Sequence, residues 1–589
     1  MKPIQWTYRV KNVFFSFVHT AFPRYSKRFY ELKCPDNYNL AFLHGEPIEW
    51  FNKEYNGNHG MFSASDMLGG KFTFLNRSKH FDTEIAWQNK EFSYLWDFNL
   101  HYFEYLLPIA KIEGKVAEAK VSSLLNNWIQ ENSCPVSPAW HPYTTSLRII
   151  NWVKLLLYYP KYGTQEILRS LYTQLAFLEC NLEGHLLVNH IWENARALIF
   201  GGVFFRSSSA DRWYAKGVNL LKNELSEEIL PLGGHFERSP MYHSILLEGL
   251  FDTLQLLRWA NKSENWIKPT TLKMCEWLEM IRTPDDNFPL FNDSATGISA
   301  KPSEILNNAN RIINFPNNLR KNNIIDIDGL VVMDAGQFKC FIDGADIGPS
   351  YNPGHAHADN LTYELFFQKQ PLVVDTGTPT YEINNVRQMS KSTREHNTVL
   401  INDLEQSELW GGFRAARRSN PDFNQVGSHE KYLIFAGEYT NRGYPDLGIS
   451  HERHIISHRD KWILVWDKVL AKGELKSKSF CKLHPQWEVI NKGDRFDLQN
   501  EAGDTLFLYP IMVENSSIIP SFYYPEFGSS HQTRKLFFTK DGEHHLEFGY
   551  LISVNQLLLS DVSVSSTKSR ISFKLDGNFI DFSYESISN

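Results

Sequence analysis

The sequence predicts an α-then-β protein: stacked helical hairpins followed by packed antiparallel sheets. Three observations predict it. Apolar residues recur at helical spacing up to about residue 325, short β-type runs replace them afterwards, and turn residues punctuate both halves. The expected division is a mixed segment at 1–80, a helical domain at 81–325 and a β domain at 326–589.

The helical period is plainest where Leu246, Leu250 and Leu254 recur every fourth residue, with Leu247, Phe251 and Leu257 on the same broad face. Similar patterns occupy 103–130, 144–158, 164–180, 186–204, 212–228 and 268–281. Breaks fall at Cys134-Pro135, Tyr162-Gly163, Gly233-Gly234 and Thr283-Pro284. In the second half, strands are expected at Leu361–Phe367, Leu372–Val374, Thr398–Ile401, Trp462–Trp466 and Arg570–Leu575. Hairpin turns are expected at Lys540-Asp541-Gly542 and Leu575-Asp576-Gly577.

Composition excludes some functions. A net charge of −7 and a pI near 6.3 argue against nucleic-acid binding, which relies on Lys and Arg neutralising phosphates. Six cysteines without a CxxC pair do not make a disulfide scaffold. Aromatics reach 14%, with 16 Trp; this fits a large core, or a cleft whose rings stack on sugar faces. Near the N-terminus, Lys2, Arg9 and Lys11 accompany the run Val13–Val18, an outline of a secretion signal. That run is short, His19 interrupts it, and no small-x-small cleavage site follows. No apolar stretch is long enough to predict a membrane-spanning helix.

Three constellations carry candidate chemistry. The first is Gly354-His355-Ala356-His357-Ala358-Asp359-Asn360, just before an expected strand. On extended backbone the two histidines point to opposite faces and so can do different jobs. With Asp375 and His396 at neighbouring strand ends, His357 completes a two-imidazole, one-carboxylate set suited to Zn²⁺. The plainer reading is three unrelated polar residues. The second is Asn189-His190-Ile191-Trp192-Glu193, where a helix puts His190 and Glu193 on one face. The plainer reading is a capped helix with a surface His–Glu contact; the motif is not HExxH. The third is Glu237 to His243, in which Pro240 can open a helix and Tyr242 falls in its first turn. The positive helix end there favours a phenolate, whereas the plainer reading is a packing aromatic.

Taken together, these segments resemble the heparinase II/III family of polysaccharide lyases. The resemblance also takes in Trp140-His141-Pro142-Tyr143 through Arg148, and covers roughly residues 90–420. It implies an incomplete (α/α) toroid joined to an antiparallel β-sandwich, with the active site between them. By resemblance, Asn189 and His190 meet a substrate carboxylate, Glu193 lies nearby, and Tyr242 and His355 form the proton-transfer pair. His357, Asp375 and His396 would hold a structural zinc. Trp96, His101, Tyr143, Arg148, Tyr381, Trp410 and Arg414 are expected to line the cleft as aromatic and basic extras.

The implied reaction is β-elimination on an acidic polysaccharide: loss of the C5 proton of a uronate and expulsion of the oxygen at C4. Family custom implies the periplasm or cell envelope. Two other readings compete. A glycoside hydrolase needs paired carboxylates, for which Glu193 and Asp359 are the candidates. A catalytically silent carbohydrate-binding protein needs only the fold.

Overall fold

The structure is a computed structural model. It describes residues 2–583 other than 36, 37, 39, 41–62, 83, 90, 136, 137, 317–321, 430, 558, 566–569, 576 and 577. Two compact units emerge. One comprises Met1–Gly233, Tyr242–Cys275 and Gly297–Asn317; the other comprises Gly234–Met241, Glu276–Thr296 and Asn318–Asn589.

The helical unit follows the periodicity. Helices run over Pro142–Tyr158, Gln165–Cys180, Asn189–Phe204 and Ser208–Glu228, each near its expected span. The 103–130 pattern is two helices instead, Leu106–Lys111 and Lys115–Glu131. They part at Gly114, whose φ of 116° suits only a residue without Cβ. Hydroxyls supply the start signals: Thr164 accepts from the Ile167 amide and Ser207 from the Ala210 amide.

The Asn189–Phe204 helix is the centre of this unit. From 189 to 201 every residue but His190 is buried, so the helix is enclosed almost all round. Two glycines let the Ser208–Glu228 helix approach it. A Cβ on Gly217 would stand 2.7 Å from the Ala195 carbonyl, and one on Gly202 would stand 2.5 Å from the Tyr214 amide.

The β unit is built on two sheets. Strands Ile324–Ile327, Leu330–Ala335, Phe338–Asp343, Tyr363–Phe367 and Gln370–Val373 form an antiparallel meander. A larger antiparallel sheet runs from Pro421–His429 through Tyr432–Thr440, Ser450–His458, Trp462–Lys482, His531–Ser553, Thr505–Ile511 and Phe496–Asn500 to Trp487–Asn491. Alternate residues face a shared core: Val331, Met333 and Leu365 from the meander, Phe435, Val465 and Ile552 from the larger sheet. The opposite face of the larger sheet is also apolar, with Ile434, Leu464 and Trp466.

Two expectations change. Lys540-Asp541-Gly542 is no hairpin turn: it lies inside the long strand His531–Ser553 and pairs with Ser477, Lys476 and Leu475. Turn-type residues there are tolerated because a neighbouring strand takes up the backbone hydrogen bonds. The other turn expected, at 575–577, extends outside the described residues. The β unit also recruits 234–241 and 276–296 from within the helical half. Ser239 Oγ donates to the Asp293 carbonyl at 2.7 Å and Trp277 Nε1 to the Ile327 carbonyl at 3.4 Å, bonds that hold both segments to the unit.

Replacing Gly217 with Val should separate the two central helices and lower stability by about 1–3 kcal/mol, the usual cost of overpacking. Urea denaturation checks this. An unchanged midpoint would mean that the close approach is not required.

Candidate active site

In the helical unit, the turn before Asn189 is unusual. Leu187 and Val188 both have positive φ, 62° and 61°. For β-branched Val188 this conformation costs about 1–3 kcal/mol and persists only where its surroundings dictate it. Glu183 supplies that restraint. Its carbonyl accepts from the amides of Leu186 and Leu187 at 2.9 and 3.0 Å. Its amide donates to Asn194 Oδ1 at 2.8 Å, and its carboxylate accepts from Asn194 Nδ2 at 3.1 Å.

The same carboxylate orients His190. His190 Nδ1 lies 2.9 Å from Glu183 Oε1, and His141 Nε2 lies 3.8 Å from that oxygen. Burial alone would raise the acid; His190 and His141 outweigh it and hold the carboxyl down at about 2. With Nδ1 engaged, the Nε2 end of His190 is the one left for other work. Its ring stands 4.7 Å, centroid to centroid, from that of Tyr143. Burial first, then electrostatic interaction with Tyr102, Glu193 and Tyr242, pushes the Tyr143 phenol well up. Tyr242 therefore belongs to the same neighbourhood. It sits in the first turn of the Pro240–Trp259 helix, as expected from Pro240, and is buried.

In the β unit, the double-histidine segment is clamped by one carboxylate. Asp293 Oδ2 lies 2.8 Å from His355 Nδ1, and Asp293 Oδ1 lies 2.9 Å from His357 Nε2. The guanidinium of Arg387 binds both oxygens, with Nη2 at 2.7 Å from Oδ2. Asp293 is wholly buried; burial would raise its pKa, but Arg387 and the two histidines drive it far below the usual range. The strap is fixed too: Asn292 Oδ1 accepts from the His357 amide at 3.1 Å, and the Asp293 amide donates to the His355 carbonyl at 3.1 Å.

Burial lowers the basicity of His355 despite Asp293, so the ring is neutral near pH 7. Nδ1–H facing a carboxylate leaves Nε2 with its lone pair. That nitrogen lies 3.7 Å from Glu237 Oε1. Tyr381 and Phe413 stand 6.0 and 6.1 Å from the imidazole, centroid to centroid.

Beside it, three groups meet that could hold a cation. Ligand atoms of His357, Asp359 and His396 lie within 4.8 Å of one another, and all three residues are buried. His357 Nδ1, Asp359 Oδ2 and His396 Nε2 have no hydrogen-bond partner, although buried polar atoms rarely go without one. A divalent cation fits this donor set. Asp375 does not belong to that set. Its oxygens lie 2.9 and 3.1 Å from His396 Nδ1 and accept from the Thr376 amide and the Thr362 hydroxyl.

Residues 29–320 match the heparinase II/III N-terminus family model, and residues 327–574 match the heparinase II/III-like C-terminal model. The chain belongs to the heparinase II/III family. It is 23% identical over 431 residues to a heparin-sulfate lyase of Pedobacter heparinus, covering 66% of this chain and 61% of that one. It is 24% identical over 280 residues to a heparin-sulfate lyase of Bacteroides stercoris, covering 42% of each. The chain thus spans under two thirds of the length of these two relatives. In fold it resembles the crystal structure of heparinase III, with a TM-score of 0.73 at 17% identity over 95% of this chain and 94% of that one. The shared architecture is a helical toroid unit with an antiparallel β-sandwich unit.

Against the residues expected from the heparinase II/III resemblance, the structure sorts the candidates. Asn189, His190, Tyr143 and Tyr242 share a neighbourhood in the helical unit. His355 and Tyr381 share one in the β unit. Trp410 and Arg414 are exposed cross-strand partners, on either side of a turn whose Gly412 carbonyl accepts from Arg387 and Lys391.

Glu193 stands near Tyr143, and Arg196, one turn on, takes its carboxylate at 2.5 and 2.7 Å. Three cleft candidates, like Asp375 above, are corrected. Trp96, His101 and Arg148 do not line a cleft but are sealed in the core. Arg148 donates to Gln174 at 2.9 Å and lies 4.0 Å over the Trp128 ring. His101 accepts from Trp128 Nε1 at 3.0 Å, and burial drops its basicity to about 3. Trp96 Nε1 donates to the Arg77 carbonyl at 3.0 Å. A buried polar group needs a partner, and each of these has one within the core.

Glu183, Asp293 and Arg387 carry no signal in the sequence, and Glu237 enters there only as the first residue of the Tyr242 segment. Only the histidines' need for carboxylate partners could have prompted a search for them.

Glu183 gives a pH prediction. Its folded value, about 2, lies below the ordinary 4.5, so its contribution is complete above pH 4.5 and lost as pH falls toward 2. Glu183→Gln should be less stable than the unsubstituted protein at pH 6, with the gap narrowing below pH 4.5. Urea midpoints across this range check it, and a gap that widens in acid would refute the assignment.

Proposed function

We propose that the protein is a polysaccharide lyase that cleaves uronic-acid-containing chains by β-elimination, leaving a 4,5-unsaturated uronate end. The observation that carries this reading is the His355 imidazole, whose Nδ1 is held by the buried Asp293 in the way that orients a general base. The heparin-sulfate lyases named above support the reaction class.

The chemistry needs three services. The C5 proton is weakly acidic because the neighbouring carboxylate already bears charge, and its removal concentrates more. Asn189 and His190 donate N–H groups toward that carboxylate, as an oxyanion hole does. Glu183 keeps His190 in the required orientation. Tyr242 and His355 exchange protons with the sugar: one removes the C5 proton, and the phenol returns a proton to the departing oxygen. Asp293 acts through His355 by fixing its tautomer.

A hydrolase fits less well. Of its two candidate carboxylates, Glu193 is bound by Arg196 and Asp359 is buried beside His357 and His396. The elimination reading further takes the substrate to be an envelope or extracellular polysaccharide and the site of action to be the periplasm or cell envelope.

A structural Zn²⁺ at His357, Asp359 and His396 is part of the proposal. It would neutralise a buried acidic cluster and brace the β unit. Asp375 would orient His396, in the way that carboxylates commonly support a metal-bound imidazole.

Incubation with a panel of uronate polysaccharides should generate an ultraviolet-absorbing unsaturated product. Tyr242→Phe and His355→Ala should each lower its rate by about 10²–10⁴-fold. Ordinary reducing ends without absorbance would mean hydrolysis, and full activity in both variants would reject the proton-transfer pair. Separately, His357→Ala and Asp359→Asn should each lose bound zinc and melt at lower temperature. Zinc content unchanged by elemental analysis would remove the metal from the account.

A further inference from the structure

The first two helices, Pro3–Ala21 and Pro23–Glu31, are amphipathic the wrong way round for a globular surface. On the first, Gln5, Tyr8, Asn12 and His19 face the protein. Gln5 Nε2 donates to the His185 carbonyl at 3.2 Å, and Asn12 Nδ2 lies 2.8 Å from His185 Nδ1. Tyr8 seats on Gly184, where a Cβ would come within 2.5 Å of its ring. His19 Nε2 lies 3.0 Å from the Tyr30 hydroxyl.

The opposite side is apolar and exposed. Trp6, Val10, Val13, Phe14 and Phe17 occupy an arc of roughly 100° at 3.6 residues per turn. Trp6 is 58% exposed and Val13 72%. The second helix carries an exposed apolar face of its own. It buries Ser26 and Tyr30, while Tyr25, Phe29 and Leu32 face outward, Tyr25 at 76%. An exposed apolar surface of this kind marks an interaction site.

Charge says what it meets. Residues 2–33 carry seven Lys and Arg against one acid, Glu31, in a chain whose net charge is −7. Arg9 and Lys11 flank the apolar arc of the first helix, and Arg24, Lys27 and Arg28 are exposed on the second. Outward aromatics bordered by long basic side chains suit an anionic lipid surface, where rings enter the headgroup boundary and cations meet phosphates. No helix among the described residues is long and apolar enough to span a bilayer, so the helices would lie in the interface plane.

We propose that this helical pair docks the protein on membranes rich in acidic phospholipid. The docking is independent of the proposed elimination chemistry. It would keep the enzyme at a lipid surface while leaving the Asn189–His190 turn to its own task.

Full-length protein is to be sedimented with phosphatidylcholine vesicles, with or without about one third phosphatidylglycerol. It should bind only the anionic vesicles, and less as salt rises. Arg24→Gln with Arg28→Gln should weaken binding about thirtyfold. Phe14→Ser with Phe17→Ser should weaken it roughly tenfold or more. The replaced side chains point to solvent, so circular dichroism and melting should not change. Wild-type protein that ignores anionic vesicles overturns the proposal, as does binding that both variants retain. A dimer that the Phe14/Phe17 variant splits, without vesicle binding, would overturn it in favour of a second copy of this chain.

Discussion

One buried carboxylate organises the double-histidine segment of the β unit. Asp293 is shielded from water, and it is tolerated there because Arg387 and two imidazoles surround it. Removing a single partner from such a group leaves a buried charge uncompensated, commonly at a cost of about 3–5 kcal/mol. The arrangement therefore stands or falls as a set. It also fixes opposite assignments for the two histidines. His355 gives Nδ1 to the acid and keeps Nε2; His357 gives Nε2 and keeps Nδ1, which turns toward Asp359 and His396. The expectation of opposite faces on an extended chain is not met: the segment is a turn, and both rings reach the same anion, each through a different nitrogen.

The helical unit uses the same device. Glu183 is a buried acid that closes a strained turn through its backbone and orients His190 through its side chain. The positive-φ pair Leu187 and Val188 delivers Asn189 and His190 at the head of an otherwise enclosed helix. Local conformational cost is offset by hydrogen bonds that water cannot compete for. The first N-terminal helix grips the stretch leading into this turn, with Gln5 and Asn12 on His185 and Tyr8 on Gly184.

Much of the architecture was legible because burial imposes period on sequence. Leu246, Leu250 and Leu254 announce a helix, and the Trp462–Trp466 run a strand, without reference to any distant residue. The failures share a cause. At 540–542 the residues are turn-formers, yet a neighbouring strand outcompeted local preference. Trp96, His101 and Arg148 have side chains that serve a sugar cleft or a core equally well, and only packing shows which. Segments 234–241 and 276–296 lie within the helical half of the sequence, but their partners are in the β unit.

The sequence by itself determined the succession of helices and strands, the family, and the double-histidine and Asn-His motifs, since these are local patterns. Only the tertiary structure decided the anions. Glu183 lies seven residues from His190, and Asp293 lies 62 residues from His355. It likewise put Asp359 with His357 and His396 and gave Asp375 to His396. A buried charge is not identified by the residues beside it in sequence. Its energy depends on which groups share its desolvated space, and that is fixed only when the chain has folded.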